Sequence, residues 1–157
     1  MRIDVLTLFP EMILQAVGHS MLKRAQEKGL LAIQAHNLRD YTMDRHKDAD
    51  DVPYGGGAGM VMKAEPLFAA VESVQGQAAE QGRVVLLTPQ GRLFDQGVAV
   101  ELAHHDRLIL ICGHYEGVDA RVHDSVTFER RSRRSVRLRR RDGTTALLAS
   151  APPGQLT

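Results

Sequence analysis

The sequence predicts an α/β fold, a parallel β-sheet with helices on both faces, and three observations point to it. Short runs rich in Val, Leu and Ile alternate with stretches of helical period. Glycine-bearing turns follow several of those runs. The chain has 157 residues, 43% of them hydrophobic and 25% charged, which suits one compact core. Aromatic residues make up only 4% and Trp is absent, which disfavours a sandwich built on large rings or a base-stacking platform. The single cysteine, Cys112, excludes an intrachain disulfide framework and a Cys-rich zinc site, so a reducing, cytoplasmic setting is expected. No apolar stretch approaches the roughly 20 residues that span a bilayer, and no membrane association is expected.

Taken in order, Arg2 to Phe9 reads as a buried strand interrupted only by Asp4. Pro10 and Glu11 suit the first turn of a helix, because that turn has no use for the missing Pro donor and its positive end favours an acid. Ile13, Val17 and Met21, widened by Leu14, Leu22 and Ala25, form one apolar stripe that continues to a stop at Gly29. Leu30 to Ala35 returns as a strand. A long polar segment, Asn37 to Met62, follows, and loops of that length in compact domains are usually functional or disordered. Pro66 to Gln81 then reads as a helix, Arg83 to Leu87 as a strand, Asp95 to His104 as a helix and Arg107 to Cys112 as a strand.

Charge divides the chain in two. Residues 1–127 hold 12 basic and 17 acidic side chains, whereas residues 128–157 hold 8 and 2, and all eight of those bases are arginine. Arg130 to Arg141 has no apolar period, so no packed element is predicted there. Such a run reads either as a disordered basic tail or as a nucleic-acid-binding arm.

In parallel α/β sheets ligands bind beyond the carboxyl ends of the strands. Two segments qualify, Thr88-Pro89-Gln90-Gly91-Arg92 after one strand and Gly113-His114-Tyr115-Glu116-Gly117 after another. Their glycines let backbone approach a ligand closely, and Glu116 adds a negative charge suited to a cationic one. The same residues read equally as two tight turns ending buried strands. Gly55-Gly56-Gly57-Ala58-Gly59 lacks the Lys-Ser/Thr of a phosphate-binding loop and is either a hinge or a pocket floor. His104-His105 and the His46, Asp48, Asp50, Asp51 group lack a complete ligand spacing, so no metal is expected. Cys112, behind four apolar residues, reads as a buried small hydrophobe.

Six segments in order carry a resemblance: Leu8-Phe9-Pro10-Glu11-Met12, Arg39-Asp40-Tyr41-Thr42, Asp44-Arg45-His46, Asp50 to Met60, Thr88 to Arg92, and Cys112 to Asp119. Together they resemble the bacterial tRNA (guanine-N1)-methyltransferases of the SPOUT superfamily, over residues 1–127. The resemblance implies a homodimer that methylates N1 of the guanine following the anticodon of tRNA, position 37. It implies S-adenosylmethionine bound in a trefoil-knotted stretch of backbone. Leu86, Leu87, Thr88, Pro89, Gln90, Gly91, Gly113, Tyr115, Glu116 and Gly117 would line the methyl-donor pocket, with Ala58, Gly59 and Tyr115 bordering the target guanine.

Guanine N1 carries a proton at neutral pH, so methylation needs a base and a group that stabilises charge developing on O6. The family is understood to use an Asp and an Arg beyond the knot. Neither has an identifiable counterpart here, and the catalytic residues stay unassigned. The resemblance stops at about Phe128, where an Arg-rich tail stands in place of the segment that completes the family's pocket, and no counterpart of the C-terminal RNA-binding domain is expected in residues 128–157. Impaired activity is expected; the alternative is an inactive relative that binds RNA weakly through its arginines. Glu129-Arg130-Arg131-Ser132 is encodable as GAG-AGG-AGA-TCN, and another phase of those bases reads Glu-Glu-Ile, so a frame disruption is favoured over a purposeful arm. Sequencing the genomic locus tests this: family-like codons in another phase are expected, and an intact frame with no family remnant overturns it.

Overall fold

In the computed structural model the described residues are 1–43, 49–51, 60–79, 81–113, 117–119, 121–122, 128–131, 136–139 and 145–148. Strands β1 (Arg2–Thr7), β2 (Ala32–Asn37), β5 (Arg83–Leu93), β6 (Arg107–Cys112) and β8 (Phe128–Arg131) form a sheet ordered β2-β1-β6-β5-β8, with every neighbouring pair parallel. Strands β3 (Asp50–Asp51), β4 (Val61–Met62) and β7 (Gly117–Val118) form a small second sheet, and β9 (Val136–Arg139) pairs antiparallel with β10 (Thr145–Leu148).

The two-residue period of the strands divides the core. Leu6, Val84, Leu86, Ile109 and Ile111 face one side, where Leu67, Ala70 and Val74 of helix α3 (Ala64–Gly76) cover them. Ile3, Val5, Val85, Leu108 and Leu110 face the other, covered by Val98 and Leu102 of α4 (Gln96–Ala103), with Ile13 of α1 (Pro10–Val17) and Leu22 and Ala25 of α2 (Ser20–Glu27) alongside. The expected helices on both faces are therefore present.

Several boundaries differ from the sequence reading. The stripe read as one helix from Pro10 to Gly29 is two, because the chain breaks at Gly18 and turns through Ser20, whose φ is 52°. A Cβ at Gly18 would lie 3.1 Å from the Leu14 carbonyl oxygen, a tight approach that glycine avoids. The predicted stop at Gly29 holds in detail. Its φ is +67°, its N–H donates to the Gln26 carbonyl at 2.9 Å, and Leu30 N–H donates to the Ala25 carbonyl at 3.0 Å. These two bonds satisfy carbonyls that the end of a helix otherwise leaves open. Helix α4 starts where the Asp95 carboxylate accepts from Val98 N–H at 2.9 Å. The segment read as a long loop after β2 opens with a 3-10 turn at Leu38–Tyr41 and contributes β3 and β4. Strand β9 falls within the Arg130 to Arg141 run, where no apolar period predicted an element, β8 overlaps its start and β10 follows it, since strand pairing through main-chain bonds does not require such a period.

One polar cluster is sunk into this apolar frame. Asp4, fully buried on β1, accepts from Arg107 Nε at 3.0 Å through Oδ2 and from Arg2 Nη2 at 3.0 Å through Oδ1, while His36 Nε2 lies 3.0 Å from Oδ1. Arg107 also donates from Nη2 to the Val74 carbonyl at 2.6 Å, at the end of α3. Burial by itself would raise the Asp4 pKa, but hydrogen bonds from Arg2, His36 and Arg107 outweigh it and hold the carboxyl below its ordinary value.

Two outcomes follow for stability. Asp4→Asn leaves the buried Arg107 without its counter-charge and should cost about 3–5 kcal/mol in urea unfolding. Because the folded pKa is depressed, the Asp4 contribution is full above the unfolded value of about 3.9 and is lost as pH falls through the lower folded value, a dependence that the Asn variant should lack. At Gly29 no atom lies within 4 Å of an added Cβ, so Gly29→Ala should cost only the left-handed backbone penalty, about 1 kcal/mol by the same measurement.

Candidate functional site

Since the strands of the main sheet are parallel, their carboxyl ends share one edge. Thr7 is paired with Asn37, Leu6 with Ile111, and Leu87 with Cys112, so the chain passes Thr88 and Gly113 side by side. The connection from β1 leads outward to β2, whereas the chain after β6 leads the opposite way to β8. Strands whose connections diverge in this manner open a crevice at their carboxyl ends, here between β1 and β6, so Gly113 borders it from the β6 side.

The segment Thr88 to Arg92, read from sequence as a loop, continues β5 instead. Its pairing with β8 is interrupted: Leu87 and Arg92 both face Arg130, so the four residues from Thr88 to Gly91 leave the ladder between them. Pro89 fits there because it has no N–H to give to a ladder. Leu86 is buried and belongs to the core, and Leu87 is half-buried against the opposite core layer. Thr88 and Gly91 are partly exposed.

Gly113, at the end of β6, is exposed, and a Cβ built on it would meet Met62 Sδ at 3.7 Å and Val118 Cγ1 at 3.8 Å, ordinary contact distances. The glycine thus leaves a shallow recess, with room for a single carbon against Met62 of β4 and Val118 of β7. Gly117 lies in β7, paired with Val61. Tyr115, Glu116, Ala58 and Gly59 lie outside the described residues, as do Asp44 to Asp48. The neighbouring Cys112 has its thiol pushed up to about 11 by burial, so at neutral pH it is a protonated, apolar group and no nucleophile.

The small sheet joins segments far apart in sequence. Asp50 and Asp51 pair with Met62 and Val61, which pair on their other side with Val118 and Gly117. Lys63 N–H donates to the Ala49 carbonyl at 2.9 Å, and Asp119 N–H to the Met62 carbonyl at 3.0 Å. Beyond β7, Arg121 grips Asp119 with Nε and Nη2 at 3.0 and 2.8 Å and reaches Glu65 with Nη1 at 3.0 Å. Those hydrogen bonds pull the Asp119 carboxyl down to about 2. Composition and period carry no sign of this triad, although an acid in the first turn of a helix and an Asp-x-Arg pair are its only local marks.

On the opposite margin, Arg39 donates from Nη1 to the Leu8 carbonyl at 2.9 Å and lies 5.7 Å from the centre of the Phe9 ring, which ties the turn after β1 to the turn after β2. A groove of about 370 Å³ between α3 and the sheet is lined by Leu67, Phe68, Val71, Glu72, Val84, Ile111 and Val122. Among the described residues no three His, Cys, Asp or Glu side chains converge as a metal site, and no helix is long and apolar enough to cross a membrane.

A parallel sheet with helices on both faces and two chain segments adjoining at its carboxyl edge defines the class of α/β domain to which the SPOUT methyltransferases belong. The chain is a member of the tRNA (guanine-1)-methyltransferase (TrmD) family, whose model matches residues 1–132. Similar curated proteins named tRNA (guanine-N(1)-)-methyltransferase include one from Chloroflexus aggregans, 58% identical over 124 residues, which covers 79% of this chain and 49% of that protein. Another, from Dehalococcoides mccartyi, is 56% identical over 124 residues and is covered for 50% of its length. The chain thus spans about half the length of the curated relatives it matches. The crystal structure of tRNA (m1G37) methyltransferase from Aquifex aeolicus is similar in fold, with a TM-score of 0.76 and 36% identity, covering 82% of this chain and 58% of that one.

Proposed function

We propose that this chain is the methyl-donor-binding part of an enzyme that transfers a methyl group from S-adenosylmethionine to N1 of guanine 37 of tRNA. The observation that carries the reading is the glycine recess beside Thr88 to Gly91, at the carboxyl edge of the sheet of a chain belonging to this family. The recess fits the cofactor's chemistry. It is flanked by a thioether and a valine methyl, which suit an apolar base face. Pro89 to Gly91, within the interruption of the β5 ladder, bring main chain close enough to meet the polar atoms of adenine and ribose.

S-adenosylmethionine supplies an electrophilic methyl on a sulfonium. The chain's own residues would bind and orient it: Leu87 at the apolar floor with Leu86 behind it in the core, Thr88, Pro89, Gln90 and Gly91 through main chain on one side, and Gly113 and Gly117 on the other. Tyr115 would close the pocket, Glu116 would balance the positive charge, and Ala58 and Gly59 with Tyr115 would border the guanine. The base that removes the N1 proton and the cation that stabilises O6 are assigned to no residue of 1–127, so donor binding is the property expected first of this chain. A homodimer belongs to the same reading and is supported by the exposed Met12 and Leu14 of α1, which a second copy would cover.

Calorimetric titration of the 157-residue chain with S-adenosylmethionine or its demethylated product tests the proposal. Saturable binding at one site is expected. Gly113→Leu should weaken it at least about tenfold, about 1.4 kcal/mol, while unfolding stays within about 0.5 kcal/mol because the position is exposed. A folded chain that binds neither compound overturns the reading.

A further inference from the structure

We propose that Arg121 is a positioning residue that locks β7 against β4 through Asp119 and Glu65 and thereby sets the width of the recess beside Gly113. The two side chains that flank that recess, Met62 and Val118, are partners in the β4–β7 register. Each strand is only two residues long, so few ladder bonds hold them, and isolated pairings of that size are not stable alone. Something else must fix their separation.

Arg121 does so by closing a ring. From Met62 of β4 the chain runs through Lys63 and Ala64 to Glu65, in the first turn of α3. From Val118 of β7 it runs to Asp119, whose N–H returns to the Met62 carbonyl at 3.0 Å and whose carboxylate also accepts from Arg121 N–H at 2.9 Å. The guanidinium spans the remaining gap, with two nitrogens on Asp119 and the third on Glu65. Paired, planar contacts of this kind fix orientation as well as distance, which a lysine ammonium does not. Arg121 and Glu65 are 57% and 67% exposed, so the triad adds little to global stability. Its effect falls on local geometry.

The inference about the recess rests on the proposed donor site, but the clamp itself has a readout of its own. Hydrogen exchange of the ligand-free 157-residue chain should show faster exchange of the Val118 and Asp119 amides in Arg121→Ala, with β1 and β6 amides unchanged. In calorimetry S-adenosylmethionine should bind that variant about tenfold more weakly than the parent, with Arg121→Lys recovering only part of the loss. Asp119→Asn in the Arg121→Ala background should add little, because the two residues act as one unit. Unchanged exchange at Val118 and Asp119 overturns the clamp. Faster exchange with undiminished affinity overturns its link to the recess. A parent chain that binds no donor, with exchange still faster in the variant, overturns the donor site and with it that link, while supporting the clamp.

Discussion

The buried carboxylate of Asp4 is the constraint around which the sheet is assembled. A carboxylate removed from water is costly unless nearly every lone pair is used and a positive charge stands close by. Here the partners come from three adjoining strands, Arg2 on β1 itself, His36 on β2 and Arg107 on β6, and Arg107 extends the network to the last turn of α3. Apolar packing alone would tolerate several strand arrangements, since one leucine face resembles another. A single buried charge does not, because a slip of one residue would turn Asp4 to the opposite core layer, among Val98 and Leu102, with no donor in reach.

Fixing the strands at the Asp4 level also fixes where they end. The same registers that bring Asp4 beside Arg107 place Leu6 against Ile111 and, through β6, Leu87 against Cys112. The two ends of the sheet therefore have different physical characters. Near Asp4 the structure is closed, with Gln75 sealing the turn before β5 by a matched pair of bonds to the Gly82 N–H and carbonyl at 2.7 and 2.8 Å. At the carboxyl edge β5 leaves its ladder, β6 stops at a glycine, and the small sheet supplies walls. A rigid base and a glycine-lined rim are what a site needs when its ligand is to be held by main chain.

What the sequence revealed depended on how local the cause was. Strand β6 could be read to the residue, because five apolar side chains sit between the charged Arg107 and Gly113, and the Gly29 stop could be read because a left-handed position favours one residue type. The break at Gly18 was hidden by an apolar stripe that continues across it: Ile13 of α1 and Leu22 of α2 meet the same core layer whether or not the helix is continuous. Thr88 to Arg92 reads as a loop by composition, and the pairing with β8 that resumes at Arg92 and Leu93 is what continues the strand through it. Asp4 stood out as an oddity, yet His36 and Arg107 lie 32 and 103 residues away, so its role had no local signature. The Arg121 triad was hidden for the same reason, since Glu65 is distant in sequence and nothing in the period of either segment joins them.

The arginine-rich stretch shows how little a parallel edge strand asks of its sequence. The family match ends at residue 132, and β8, at Phe128–Arg131, is the last strand before that seam. It pairs with β5 from Val85 to Leu87, resumes at Arg92 and Leu93, and skips the residues between. The register is therefore set by main-chain groups on β5 and by the interruption at Pro89, neither of which belongs to the arginine segment. Interior strands β1 and β6 differ in kind: they are covered on both faces and are apolar at every position except those that build the Asp4 cluster and Thr7, whose hydroxyl accepts from Phe9 N–H. Sequence specificity in this sheet thus declines from its centre to its edge. The adjoining segments at Thr88 and Gly113 depend on the central pairing of β5 with β6, and that pairing lies wholly within the part of the chain that matches the family.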